Sequence, residues 1–110
     1  MWWRDSNLTR KIGLTADQTK QIEDLFQQSR PKLIDLSGAL QKQEAALEPL
    51  IEADHPDESR VVQQIDRIAQ ARAELEKARA RMLLGIRGVL RQDQWKNLQS
   101  MAPPPGDGRR

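Results

Sequence analysis

Apolar and small residues recur at spacings of three and four along two long stretches of this chain. In the first they fall at Ile22, Leu25, Ser29, Leu33, Leu36, Leu40, Leu47 and Ile51, with Phe26, Ile34, Ala39 and Leu50 widening the stripe. In the second they fall at Val61, Ile65, Ile68, Leu75, Met82, Ile86 and Val89, with Arg72 and Arg79 interrupting. Such spacing gathers side chains on one face of an α-helix, so each stretch predicts a long amphipathic helix. Pro31 has no amide hydrogen and predicts a kink near Gln27 to Arg30; Pro49 predicts loosened last turns. Residues 52–58 read as the turn between the arms. Asp54 or His55 is the expected N-cap there, with Pro56 in the first turn of a helix that runs to about Leu90.

The ends of the two arms carry start and stop signals. Asp5 or Ser6 can cap a short helix through Ile12, and Gly13 suits the left-handed position that closes it. Leu14-Thr15-Ala16-Asp17-Gln18 then reads as a capping box: Thr15 and Gln18 each bond the other's backbone amide, while Leu14 packs onto the first turn. A near copy stands at Leu90-Arg91-Gln92-Asp93-Gln94, with Arg91 in place of the capping threonine. It predicts a last short helix over 92–101. The pattern as a whole predicts an all-α chain, a long kinked helical hairpin with short flanking helices, four helices in all. Residues 1–102 read as one helical domain and 103–110 as a disordered Pro/Gly/Arg tail.

Composition changes this picture in three ways. The chain has 110 residues, 37% hydrophobic and 31% charged, with one Phe and no Tyr, so its core is thin. Thin cores favour self-association, and a homodimer is expected. The absence of Cys removes disulfides, thiolate metal sites and cysteine nucleophiles. The formal charge of +2 conceals a split: residues 16–58 hold ten acids against four bases, and residues 60–91 hold eight bases against three acids. Ion pairs between the acidic and basic arms are the expected use of that split. The segment Trp2-Trp3-Arg4 admits two readings, a cap on the core or the interface side of an N-terminal membrane anchor or signal segment.

The two motifs at opposite ends of a cysteine-free hairpin resemble the CpxP/Spy-like periplasmic proteins named for a Leu-Thr-x-x-Gln motif. The resemblance covers roughly residues 8–101; Leu14 to Gln18 fits fully, and Leu90 to Gln94 departs at Arg91. That group contains ATP-independent Spy and CpxP chaperones and heavy-metal-resistance sensors of the CnrX and ZraP type. No cofactor is expected, and a divalent transition metal is the disfavoured alternative. The resemblance implies a bent four-helix protomer, an antiparallel curved dimer and a periplasmic location. It also implies one of two functions: holding unfolded or stress-damaged clients, or sensing Zn, Ni, Co or Cu while regulating an envelope-stress signalling partner in the membrane. The chaperone reading is the first expectation and the metal reading its alternative.

Candidate chemistry is sparse. Catalysis is not expected, because a chain this thin offers no desolvated pocket that would tune an acid or base. Nucleic acid is not an expected partner, since no aromatic residues interleave with the arginines of the second arm. The expected client surface is Leu33, Leu36, Leu40, Arg72, Leu75, Arg79 and Met82, mixing cations with flexible apolar groups. Arg72 and Arg79 could equally lay their stems along the stripe and pair with carboxylates. Glu52, Asp54, His55, Asp57 and Glu58 form a weak metal cluster at the turn; with one His in the chain, helix capping is the favoured reading. Leu14, Thr15, Gln18, Leu90 and Gln94 are expected to be structural.

Overall fold

The computed structural model of the protein describes residues 1–101; the predicted tail at 103–110 lies outside them. The described residues are all-α, as the pattern predicts. A 3-10 turn at Trp2–Arg4 precedes α1 (Ser6–Ile12), α2 (Ala16–Ala45), α3 (Leu47–Glu52), α4 (Glu58–Val89) and α5 (Gln92–Met101). Asp5 caps α1 by accepting from the amides of Asn7 and Leu8. Gly13 ends it at φ 74°, a left-handed conformation that costs glycine nothing. Its amide donates to Arg10 O while Leu14 N donates to Thr9 O, the paired bonds of a Schellman stop.

The first predicted arm is two helices rather than one. Pro49 cannot donate to Ala45 O, and its ring crowds that carbonyl. α2 therefore stops at Ala45, and the Ala46 amide is shared between Lys42 O at 3.2 Å and Gln43 O at 3.3 Å. Pro31, by contrast, is carried inside α2. The turn also starts its helix later than expected. Asp57, not Asp54 or His55, is the N-cap: its Oδ1 accepts from Ser59 N at 2.9 Å and Arg60 N at 3.4 Å. Pro56 thus precedes the cap instead of opening the helix.

The chain divides into two compact units, Met1–Gln28 with the chain from Met82 onward, and Ser29–Arg81. In the first, Trp3, Ile22 and Ile86 are buried together, with Trp2, Leu14, Leu25, Phe26, Met82, Val89 and Leu90 packed around them. Ile12 and Leu98 are buried in the same unit. Trp3 stacks edge-on to Phe26 at 5.5 Å between centroids, so the tryptophan pair caps the core. In the second unit the buried apolar residues are Ile68 and Leu75, and the buried polar one is Gln64.

The stripe of α4 differs from its predicted register. Gln64 is buried and its neighbour Ile65 is 48% exposed. Ala71 and Ala78 are half-buried, and Arg72 and Arg79 beside them are exposed. The stripe thus passes through alanine, and the arginines flank it. Ile34 and Ile51, also placed on the predicted stripe, are mostly exposed. Ion pairing between the arms reduces to Arg72 with Glu44 at 3.0 Å among the described residues; the other pairs are local or involve Arg4.

Candidate functional site

The two motifs meet in the first unit and form one hydrogen-bonded device. Gln18 Oε1 accepts from Thr15 N at 3.0 Å, and Thr15 Oγ1 accepts from Gln18 N at 3.0 Å, which completes the capping box. Gln94 Oε1 accepts from Arg91 N at 2.9 Å, giving half a box, because Arg91 has no side-chain oxygen to return the bond. The two amides then bond each other: Gln18 Nε2 donates to Gln94 Oε1 at 2.8 Å, and Gln94 Nε2 donates to Gln18 Oε1 at 3.0 Å. Each also donates to the carbonyl just before the other motif, Gln18 to Val89 O at 3.0 Å and Gln94 to Gly13 O at 2.8 Å.

The pairing is reciprocal at every atom. Both protons of each Nε2 and two bonds to each Oε1 are in use, so the fully buried Gln94 side chain carries no unmet polar atom. A buried amide so satisfied specifies one arrangement, since any slip orphans several groups at once. Leu14 and Leu90 pack on the core cluster beside it. Nothing in this device is nucleophilic or titratable. It can hold helix starts in place and do no covalent chemistry.

A second polar cluster sits in the same unit. Trp3 Nε1 donates to Glu23 Oε1 at 2.8 Å, Arg4 Nε donates to the same oxygen at 3.0 Å, and Gln27 Nε2 donates to Glu23 Oε2 at 2.8 Å. Arg4 Nη2 also bonds Oε2. The Arg4 guanidinium first, then Gln27 and Trp3, hold the Glu23 carboxyl down to about 2. Elsewhere the Arg87 guanidinium lies 4.5 Å over the Trp95 ring, joining α4 to α5.

The expected client residues do not share one environment. Leu33, Leu36, Leu40 and Met82 are half-buried, Arg72 and Arg79 are exposed, and Leu75 is buried. Leu75 is core in the single chain and cannot meet a client without the helices opening. Among the large apolar side chains that do reach solvent are Leu83 and Leu84 on α4, 54% and 68% exposed, which the periodicity did not single out.

At the turn, Glu52, Asp54, His55, Asp57 and Glu58 are all exposed, and Asp57 is occupied in capping α4. No group of three or more His, Asp or Glu side chains converges as a metal site among the described residues. Among the described residues no helix is long and apolar enough to cross a membrane.

A comparison with protein families places this geometry. A model described as heavy-metal resistance matches residues 5–97, from the cap of α1 to the middle of α5. The chain belongs to the heavy-metal resistance family. That family is part of the CpxP/Spy/ZraP-like group defined by the Leu-Thr-x-x-Gln motif. No curated protein and no solved structure matches the chain. The match spans both motifs, so the paired glutamines lie inside the part of the chain that defines membership. Between the two expected functions, the family's description favours the metal reading.

Proposed function

We propose that this protein serves heavy-metal resistance as a non-enzymatic periplasmic protein, a homodimer that regulates an envelope signalling partner. The observation that carries the reading is the family match over residues 5–97. The distribution of side chains is consistent with it. The paired glutamines make a rigid end in the first unit, and the remaining surface is charged and helical, suited to contact with another protein rather than to catalysis.

A metal meets a set of ligands that the described residues of a single chain do not gather. His55 supplies the imidazole, and the carboxylates of Glu52, Asp54 and Glu58 are free of capping duty. A firm transition-metal site takes four ligands, with more than one soft or imidazole donor, so the turns of two copies together form a better set than one. Calorimetry with Zn, Ni, Co and Cu tests this. Affinity of about 1 μM or tighter, abolished by His55→Ala, is the expected result. No heat for any of the four metals would sink the metal-binding part. Capture of inner-membrane proteins by the immobilised chain tests the regulatory part.

Client holding is the second reading, and the exposed Leu83 and Leu84 beside Arg87 favour it. Apolar groups interleaved with cations bind unfolded segments loosely and draw acidic ones over distance. Suppression of the aggregation of a denatured protein at one dimer per client, weakened by Leu83→Ser with Leu84→Ser, is the expected outcome. Aggregation unchanged by the protein removes this reading.

A further inference from the structure

The break that Pro49 imposes on the first arm opens a concavity of about 330 Å³, lined by Ala46, Leu50, Arg60, Gln63, Gln64 and Arg67. All six belong to the Ser29–Arg81 unit. Its volume is that of a small-ligand site. Arg60 and Arg67 are seven residues apart, two turns of α4 on one face, separated by about 10.5 Å of helix rise. Their long side chains can converge on one ligand between them. Neither forms an ion pair among the described residues, and no carboxylate lines the concavity.

Gln64 gives the concavity a second property. It is 4% exposed, and its Nε2 donates to Gln43 O at 2.8 Å and to Gln43 Oε1 at 2.9 Å. The backbone carbonyl can only accept, which fixes which end of the Gln64 amide points to it. Both amide protons are thereby used. Gln64 Oε1 is a buried acceptor to which no group among the described residues donates. Buried acceptors are normally satisfied, and one carried by a residue that lines a basic concavity is suited to a ligand that brings a hydrogen.

We infer that this concavity binds a small tetrahedral oxyanion that retains an O–H, of the hydrogen phosphate or hydrogen arsenate class. The Arg60 and Arg67 guanidiniums donate to its charged oxygens in the fork geometry that suits such anions. The Gln63 amide adds a donor, and the ligand's O–H donates to Gln64 Oε1. Sulfate has the same shape and charge but no hydrogen to give at neutral pH, so the site discriminates against it. A bare divalent cation is repelled by the two arginines. The inference stands apart from the metal reading above, because its ligand is an anion and its residues do not overlap the His55 cluster.

The test is a titration of the full chain with phosphate, arsenate and sulfate at low ionic strength and neutral pH, followed by calorimetry and by NMR of the glutamine side-chain amides. One saturable site per chain is expected for phosphate and arsenate, with the Gln64 amide resonances moving. Sulfate should bind about tenfold or more weakly, the worth of one lost hydrogen bond to a charged group. Arg60→Ala and Arg67→Ala should each weaken phosphate by about tenfold or more. Both arginines are exposed, so circular dichroism should be unchanged. Arg67→Lys, which keeps the charge and loses the fork, should fall between the wild type and Arg67→Ala. Three results would overturn the inference: no saturation with phosphate, equal affinity for sulfate, or phosphate binding that neither arginine substitution reduces.

Discussion

The two compact units bury their helices by different means. In the unit that holds α1 and α5, Trp3, Ile22 and Ile86 form a cluster with a ring of half-buried neighbours, and Gln18 and Gln94 lock together beside it. In the Ser29–Arg81 unit, Ile68 and Leu75 are the buried apolar residues, and Gln64 takes a position the periodicity had given to Ile65. α2 and α4 pair in both, since Gln18 meets Val89 in one and Gln43 meets Gln64 in the other. The difference lies in what is laid over the pair. The first unit adds the 3-10 turn, α1 and α5; the second adds α3. An amphipathic helix pair buries one stripe per helix, and more layers are needed to exclude water fully. The thin unit holds the concavity lined by Arg60 and Arg67, while large apolar side chains reach solvent in both units.

The largest test of this contrast is truncation in each core. Ile22 is fully buried, and Ile22→Ala should cost about 4 kcal/mol, read from urea midpoints. Leu75→Ala, in the unit with fewer buried apolar residues, should cost about 2 kcal/mol because water and side chains can fill the space left. Equal losses would mean that the two units are equally well packed, against the difference described.

Next comes the glutamine pair. Gln94→Leu leaves Arg91 N, Gly13 O and half of the Gln18 amide without partners, and should cost about 2–3 kcal/mol. Gln18→Leu should cost a similar amount, and the double variant less than the sum, with a coupling of about 1–2 kcal/mol. Additive losses would show that the amides cap their own helices without locking to each other.

A gain is expected at the incomplete box. Arg91→Thr supplies the oxygen that Gln94 N lacks and should stabilise the protein by about 0.5–1 kcal/mol. The local pair of Arg91 with Asp93 that it removes is exposed and contributes little. Asp93, which that guanidinium holds below the usual carboxylate range, should titrate higher in the variant.

The smallest effect is a dependence on pH confined to the first unit. Glu23 has its folded pKa lowered from 4.5 to about 2, so its contribution is fully present above 4.5 and is lost as pH falls toward about 2. Glu23→Gln should flatten stability over that window and leave the region above it parallel to wild type. A Glu23→Gln profile as steep as the wild type's would place the acid sensitivity elsewhere.

Much of the fold was legible because it is written locally. The stop at Gly13 and the Thr15–Gln18 box depend on residues within five positions of one another; Gly13 takes the expected left-handed conformation, and the box forms with the expected partners. The break at Pro49 is of the same kind. The candidate sites were less legible. Asp57 took the cap expected of Asp54 or His55, and Leu75 went into the core while Leu83 and Leu84 reached solvent. These outcomes turn on one position around a helix, and a stripe of spacing three and four tolerates that much rotation.

The sequence by itself determined that the chain is helical, where α1, α2 and α5 start, and to which family group its motifs point. Only the tertiary structure decided that the motifs bond each other, that Gln64 rather than Ile65 lies inside, and that Arg60 and Arg67 share a concavity. The physical reason is range. Capping, proline breaks and periodicity are set within a turn or two of helix. A buried amide, in contrast, is stable only where a distant carbonyl or amide meets it: Gln94 needs Gly13 and Gln18, and Gln64 needs Gln43.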